Sequence, residues 1–283
     1  MTVAKRSVLI TGCSDGGIGS ALATAFRDAG LHVYATARSP SKMKALASSA
    51  GIQTLTLDIM SEESIAACVK SIDSLDVLVN NAGEQHTMPI LDLDIAEAKK
   101  TFDLNVWSQL AVIQAFMPLL RRSSNAMVIN HSSSAAIFAV PLAGTYHASK
   151  AAISMFTDVL RLELQPFNIK VVDLRTAIVK TNIIQAVQSN RPRLPEGSIY
   201  EPARAEVEKA MGLEGFDSAG MSADVWARDV VKDVTKQNPP ARIMRGESAW
   251  TVALSTWLPH GMFDGMIKKM TGFANVEKIL RSS

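Results

Sequence analysis

Short apolar runs alternate with stretches of helical periodicity along most of the chain. Ser7 to Ile10 reads as a buried strand that ends in a glycine-rich turn. Ile18, Leu22, Ala25 and Phe26 then recur at helical spacing, predicting a helix from Ile18 to Ala29 that Gly30 stops. Further strands are expected at His32 to Ala37, Gln53 to Leu57, Asp76 to Val79, Met127 to Asn130, Ile169 to Leu174 and Ala241 to Met244. Between them fall a short helix from Ser41 and one opened by Ser61-Glu62-Glu63-Ser64, whose acidic first turn complements the helix dipole. A long helix is expected from about Ile95 to Leu120, another from Tyr146 to about Leu164, and a last one from Ala223 to Lys236. Strands separated by helices of this length imply right-handed βαβ units. The fold class is therefore α/β, a doubly wound parallel sheet of about seven strands with helices on both faces.

The alternation lapses from about Lys180 to Met221 into a region containing Pro, Gly and charge. An insertion after the sixth strand suits a lid over a pocket, and a surface excursion is the plainer alternative. With neither an internal repeat nor a low-complexity linker, residues 1–283 read as one domain, with a lid at 180–221 and a C-terminal extension at 247–283.

Composition narrows the function. Hydrophobic residues make up 47% and charged residues 20%, enough for a large core. A net charge of +2 without a basic cluster argues against a nucleic-acid partner. Cys13 and Cys68 lie far apart without ligand spacing, so neither a disulfide framework nor a metal site is expected. The polar start, Met1 to Ser7, lacks the apolar core of a secretion signal, and a cytoplasmic location is the expectation. No apolar run is long enough to span a bilayer. Ala249 to Met266 comes nearest, but Pro259-His260-Gly261 and Asp264 interrupt it, so it suits a docked helix or one lying on a lipid surface.

Two stretches carry chemistry. Tyr146 and Lys150, four residues apart at the start of a helix, share one face. A tyrosine of pKa about 10 is a poor acid near neutrality, and a neighbouring cation is expected to lower that value. Thr11-Gly12-Cys13-Ser14-Asp15-Gly16-Gly17-Ile18-Gly19 lies between the first strand and first helix, where glycines let the backbone approach a pyrophosphate on the helix N-terminus. The second strand ends at Arg38 instead of an acidic residue, which favours the 2′-phosphate of NADP(H) over NAD; an unengaged surface arginine is the alternative.

These motifs, with Asp58, Asn80-Asn81-Ala82-Gly83, Asn105 and Ser133, follow in the order of the short-chain dehydrogenase/reductase family, which the chain resembles over nearly all its length. The glycine turn, Ala-Thr-Ala37-Arg38 and Val179-Lys180-Thr181-Asn182 look most like a fungal branch of NADPH-dependent acyl-dihydroxyacetone-phosphate reductases. The resemblance implies a Rossmann-type fold and carbonyl reduction. It makes Tyr146 the acid and Lys150 its partner, with Ser133 holding the substrate oxygen and Asn105 anchoring a water towards Lys150. Ser132 and Ser134 are alternatives to Ser133. Cofactor contacts are implied for Gly12, Ser14, Gly17, Ile18, Gly19, Arg38, Asp58, Asn80, Ala82, Gly83, Val179 and Thr181, besides Tyr146 and Lys150; Ser39 and Lys42 are further candidates for the 2′-phosphate.

Thr176-Ala177 departs from the family's usual Pro-Gly, and Gly16 is an extra residue in the turn. His86, His131 and His147 have no ligand spacing and read as surface or structural residues. The expected function is reduction of a bulky apolar, lipid or secondary-metabolite ketone by a homodimer or homotetramer. Imine reduction, epimerisation or cyclisation on the same fold is the alternative, and a non-catalytic NADP-binding scaffold a third.

Overall fold

A computed structural model describes residues 5–190, 192–216, 219–259 and 261–282. Seven strands form one sheet: β1 (Ser7–Ile10), β2 (His32–Ala37), β3 (Ile52–Thr56), β4 (Val77–Asn80), β5 (Met127–His131), β6 (Lys170–Thr176) and β7 (Arg242–Arg245). All pairings are parallel, in the order β3-β2-β1-β4-β5-β6-β7. Every expected strand is present within two residues of its expected bounds.

Side chains alternate across this sheet because successive residues of a strand point to opposite faces. Val8, Ile10, Val33 and Ala35 pack with Leu22 and Phe26 of α1 (Ile18–Asp28) and Trp226 and Val230 of α9 (Ala223–Val234). Leu9, Leu78 and Val128 pack on the other face with Ile65 of α3 (Glu62–Lys70) and Val112 and Phe116 of α5 (Ser108–Leu120). Strands buried on both sides read as unbroken apolar runs, which is why they were legible. The chain reverses direction along the sheet between β1 and β4, and a crevice opens at their C-terminal ends.

Two expectations change. The long helix is not continuous: α4 (Ile95–Phe102) passes through a π turn at Asp103–Trp107 before α5, and the Ser108 N–H donates to the Asp103 carbonyl. Asn105 sits in that turn. The region after β6 is also more ordered than its composition suggested. It holds α7 (Asn182–Asn190) and α8 (Arg204–Met211), although residues 191, 217 and 218 lie outside the described set.

Leu194, Val207 and Met211 from this region share a separate apolar cluster with Val276 of α12 (Phe273–Ser282). The segment thus packs on the C-terminal extension, which also contains α10 (Ala249–Ser255) and α11 (Asp264–Met270). Short helices such as α2 (Lys44–Ala47) complete the connections, and α6 (Gly144–Leu164) carries the Tyr146-Lys150 pair. Among the described residues no helix is long and apolar enough to cross a membrane.

Candidate active site

A cavity of about 1190 Å³ runs along the C-terminal edge of the sheet, from the β1–α1 turn to the face of α6 and the C-terminal helices. At one end the glycine turn is shaped by close approach. Gly12 has φ +74°, and a Cβ there would lie 2.9 Å from the Ala82 Cα. A Cβ on Gly19 would lie 2.4 Å from the Gly12 carbonyl oxygen. Gly17 is the residue before α1 and gives that helix no side-chain cap, so its first amides are left to a ligand. Ser14, Ile18, Ala82 and Gly83 line the same end.

This cradle fits a dinucleotide. Uncapped amides and the positive helix end suit a pyrophosphate, and any larger residue at Gly12 or Gly19 would close the turn. Arg38 is exposed on the cavity wall, and no ion-pair partner holds it among the described residues. Lys42 also lines the wall, whereas Ser39 is bonded to Ser41 at 2.8 Å. Asp58 also lines the wall, and its Oδ1 accepts the Met60 N–H at 3.0 Å. Val179 and Thr181 line the opposite side, the Thr181 hydroxyl accepting the Ile183 N–H at 3.2 Å.

Asn80 does not reach the cavity. It is buried at 1% exposure and donates to Asn130 Oδ1 at 2.9 Å, tying β4 to β5. The next residue, Asn81, lines the cavity instead. Its amide donates to the carbonyls of Thr11 and Gly12 at 2.7 and 3.2 Å, bracing the glycine turn.

At the other end lie Tyr146, Ser133 and Lys150. Hydrogen bonding separates two of the three serines. Ser132 is committed to Asp173 Oδ1, while Ser133 is the serine whose hydroxyl acts on the Tyr146 phenol. Ser133 Oγ also accepts the Ala135 N–H at 3.1 Å and donates to the Thr176 carbonyl at 3.3 Å. Lys150 is 5% exposed, with Nζ 5.8 Å from the Tyr146 ring centroid.

Burial, more than charge, governs titration here. It raises the Tyr146 phenol above its ordinary value, the Ser133 hydrogen bond pulling the other way. Burial therefore outweighs the lowering expected from Lys150 in this arrangement. Lys150 itself is pushed down to about 8 by burial, against the attraction of Asp173.

Asn105 lies behind the cavity wall, fully buried. Its Oδ1 accepts the Glu84 N–H at 2.9 Å, and its Nδ2 donates to the Glu84 carbonyl at 2.9 Å and to Ser149 Oγ at 3.1 Å. Gly83 separates it from Lys150: a Cβ there would come 2.9 Å from Asn105 Oδ1 and 3.5 Å from Lys150 Nζ.

Sequence reading missed His131 as part of this assembly. It is buried on the cavity wall, held down at about 3 by burial and then by the Lys150 charge, and its carbonyl accepts from Lys150 Nζ at 2.9 Å. A buried ion pair, Arg175 Nε to Asp173 Oδ2 at 2.7 Å, was missed too. His131 has no local spacing signal, because its side-chain partners Asn81 and Thr176 come from the ends of neighbouring strands; Asp173 and Arg175 are two residues apart on β6 and so share one face of it.

A dinucleotide cradle continuous with a half-buried tyrosine and a buried serine and lysine defines a nucleotide-dependent oxidoreductase site. The short chain dehydrogenase family model matches residues 6–192. A short-chain dehydrogenase/reductase of Pestalotiopsis microspora is 52% identical over 282 residues, covering 99% of each chain. An NADPH-dependent 1-acyldihydroxyacetone phosphate reductase of Schizosaccharomyces pombe is 36% identical, covering 76% of this chain and 77% of its own. A Burkholderia cenocepacia short chain dehydrogenase solved in complex with NADP has a TM-score of 0.71 at 21% identity, covering 94% of this chain and 99% of that one. The chain belongs to the short-chain dehydrogenase family; it is an oxidoreductase of Rossmann fold that binds NAD(H) or NADP(H).

Proposed function

We propose that this enzyme is an NADPH-dependent reductase of a bulky, apolar ketone. The observation that carries the reading is Tyr146, with Ser133 and Lys150 on the same stretch of lining, at the inner end of a cavity whose outer wall bears Arg38. NADPH when bound supplies hydride from C4 of its nicotinamide. The Tyr146 hydroxyl gives its proton to the substrate oxygen, and burial keeps that proton in place at neutral pH. Ser133 Oγ hydrogen-bonds the same oxygen. The Lys150 cation favours the phenolate left behind. Arg38 pairs with the 2′-phosphate.

The distal wall supports an apolar substrate. Phe138, Ile184, Val187, Leu213, Phe216 and Met266 line it. We read the chain as one domain in which 180–221, packed on α12, forms the lid. The C-terminal extension that closes the cavity also exposes Trp250 and Trp257, each 87% exposed, and Leu254 at 58%. Residues 249–283 carry four basic residues against two acidic ones. Interfacial tryptophans with a basic surplus suit a lipid surface, from which an apolar ketone would enter.

The test is NADPH consumption with product identification across a panel of lipid and polyketide ketones. Tyr146→Phe is expected to lose about 10²–10⁴-fold in kcat. Full turnover by that variant would remove Tyr146 as the acid, and conversion without NADPH would point to epimerisation or cyclisation instead.

A further inference from the structure

Thr176 stands where the family resemblance leads one to expect a rigid proline, and its hydroxyl is not idle. Thr176 Oγ1 lies 2.6 Å from His131 Nε2, and His131 Nδ1 lies 3.0 Å from Asn81 Oδ1. Asn81 Nδ2 donates to the Thr11 and Gly12 carbonyls, so the amide orientation is fixed and Oδ1 can only accept. His131 Nδ1 must therefore carry a proton. The ring stays neutral, so Nε2 must accept, and the Thr176 hydroxyl must donate to it. The same Thr176 offers its carbonyl to Ser133 Oγ at 3.3 Å, and the His131 carbonyl holds Lys150 Nζ.

We propose that His131 and Thr176 are positioning residues: with Asn81 they form a one-directional hydrogen-bond tie across β4, β5 and β6 that sets Ser133 and Lys150 in register with the glycine turn. The tie does with side chains what a proline would do with a fixed φ. It rests on the reading of Ser133 and Lys150 given above, because those are the groups it places. His131 is 6% exposed and stacks on Trp226 at 5.6 Å, so the ring has no alternative partner in solvent. The cofactor end has its own brace in the Asn81 amide. Breaking the tie at Thr176 should thus disturb the serine end and spare NADPH binding.

Three measurements on the full chain decide this. Long-range ¹H–¹⁵N spectra, with His131 assigned by comparison with His131→Gln, are expected to show the neutral Nδ1–H tautomer in the unmodified enzyme. Thr176→Val keeps the volume but removes the donor; it is expected to lower kcat roughly ten- to a hundredfold while NADPH Kd stays within about threefold. Thr176→Ser keeps the donor and is expected to restore kcat. An Nε2–H tautomer in the unmodified enzyme, an unaltered kcat in Thr176→Val, or no rescue by Thr176→Ser would each overturn the proposal. The tautomer needs no variant and no substrate. It decides the tie even if Thr176→Val does not fold or if no ketone is turned over, and the latter result counts against the proposed function alone.

Discussion

Lys150 Nζ donates to the His131 carbonyl at 2.9 Å, so a cation carried by α6 is anchored to the end of β5. The anchor leaves it 5.8 Å from the Tyr146 ring centroid in a nearly water-free setting. That placement explains why its proton is held less tightly than in solution, and it has a consequence for pH dependence.

For kcat/KM of NADPH, which reports the free enzyme, activity in the reductive direction is expected to be level below about pH 8 and to fall above it as Lys150 loses its charge. Tyr146, raised by burial, keeps its proton across that range. Lys150→Met should lack the alkaline fall and be slow throughout. An alkaline limb that survives in that variant would assign it to another group.

His131 sets the acid side of stability. Its folded value of about 3 lies below the unfolded value of about 6.5. The unfolded chain therefore binds the proton first, and stability is expected to be full above about pH 6.5 and to decline as pH falls towards 3. Urea midpoints measured from pH 7 to 4 should slope down in the unmodified enzyme. In His131→Gln the slope should be shallower, because that titration is gone.

Arg38 gives a test of cofactor choice separate from catalysis. Arg38→Ala is expected to weaken NADPH binding by roughly ten- to a hundredfold, the value of a charge-assisted phosphate contact, and to leave NADH affinity nearly unchanged. Fluorescence titration with both cofactors measures it. Equal weakening of the two would mean that Arg38 does not read the phosphate.

The homodimer or homotetramer expected from the sequence would have an apolar face available to it on α6 and the π turn. Trp107 packs edge-on against Phe156, and Met155, Val159 and Leu162 are between 44% and 64% exposed along the same side of α6. A face this apolar suits a second copy of the chain. Light scattering is expected to give a dimer or tetramer, and Leu162→Glu with Met155→Glu to give smaller species.

The tryptophan surface predicts lipid association. The unmodified enzyme is expected to co-sediment with vesicles containing anionic lipid, with a blue-shifted tryptophan emission, and Trp250→Ser with Trp257→Ser to remain in solution with turnover of a water-soluble ketone retained. Concentration-dependent self-association without vesicle binding would assign that surface to another protein copy.

What the sequence revealed follows from how far each signal reaches. The β1 run and most of the β2 and β5 runs are apolar, so a local window suffices, and Tyr146 and Lys150 share a helical turn. Thr176 and His131 could be seen only as an odd substitution and an isolated histidine. Their bond spans 45 residues and depends on β5 and β6 being neighbours in register. The helices after β6 escaped notice because α7 and α8 are short and bury little, α7 contributing only Val187 among buried residues. Asn80 and Asn81 differ in role by one position, since a strand residue points into the sheet and the next leaves its edge.

The π turn at Asp103–Trp107 makes the helix phase itself a functional variable. Each residue of an α-helix advances the face by about 100°, so the extra residue in the turn rotates α5 relative to α4. Removing one residue there would relax the turn into an ordinary helix at little cost to the backbone. It would also swing Asn105 away from Glu84 and Ser149. A chain shortened by that single residue is expected to keep its core while losing the Asn105 link from this turn to α6, so chain length at the turn constrains the structure as much as side-chain identity does.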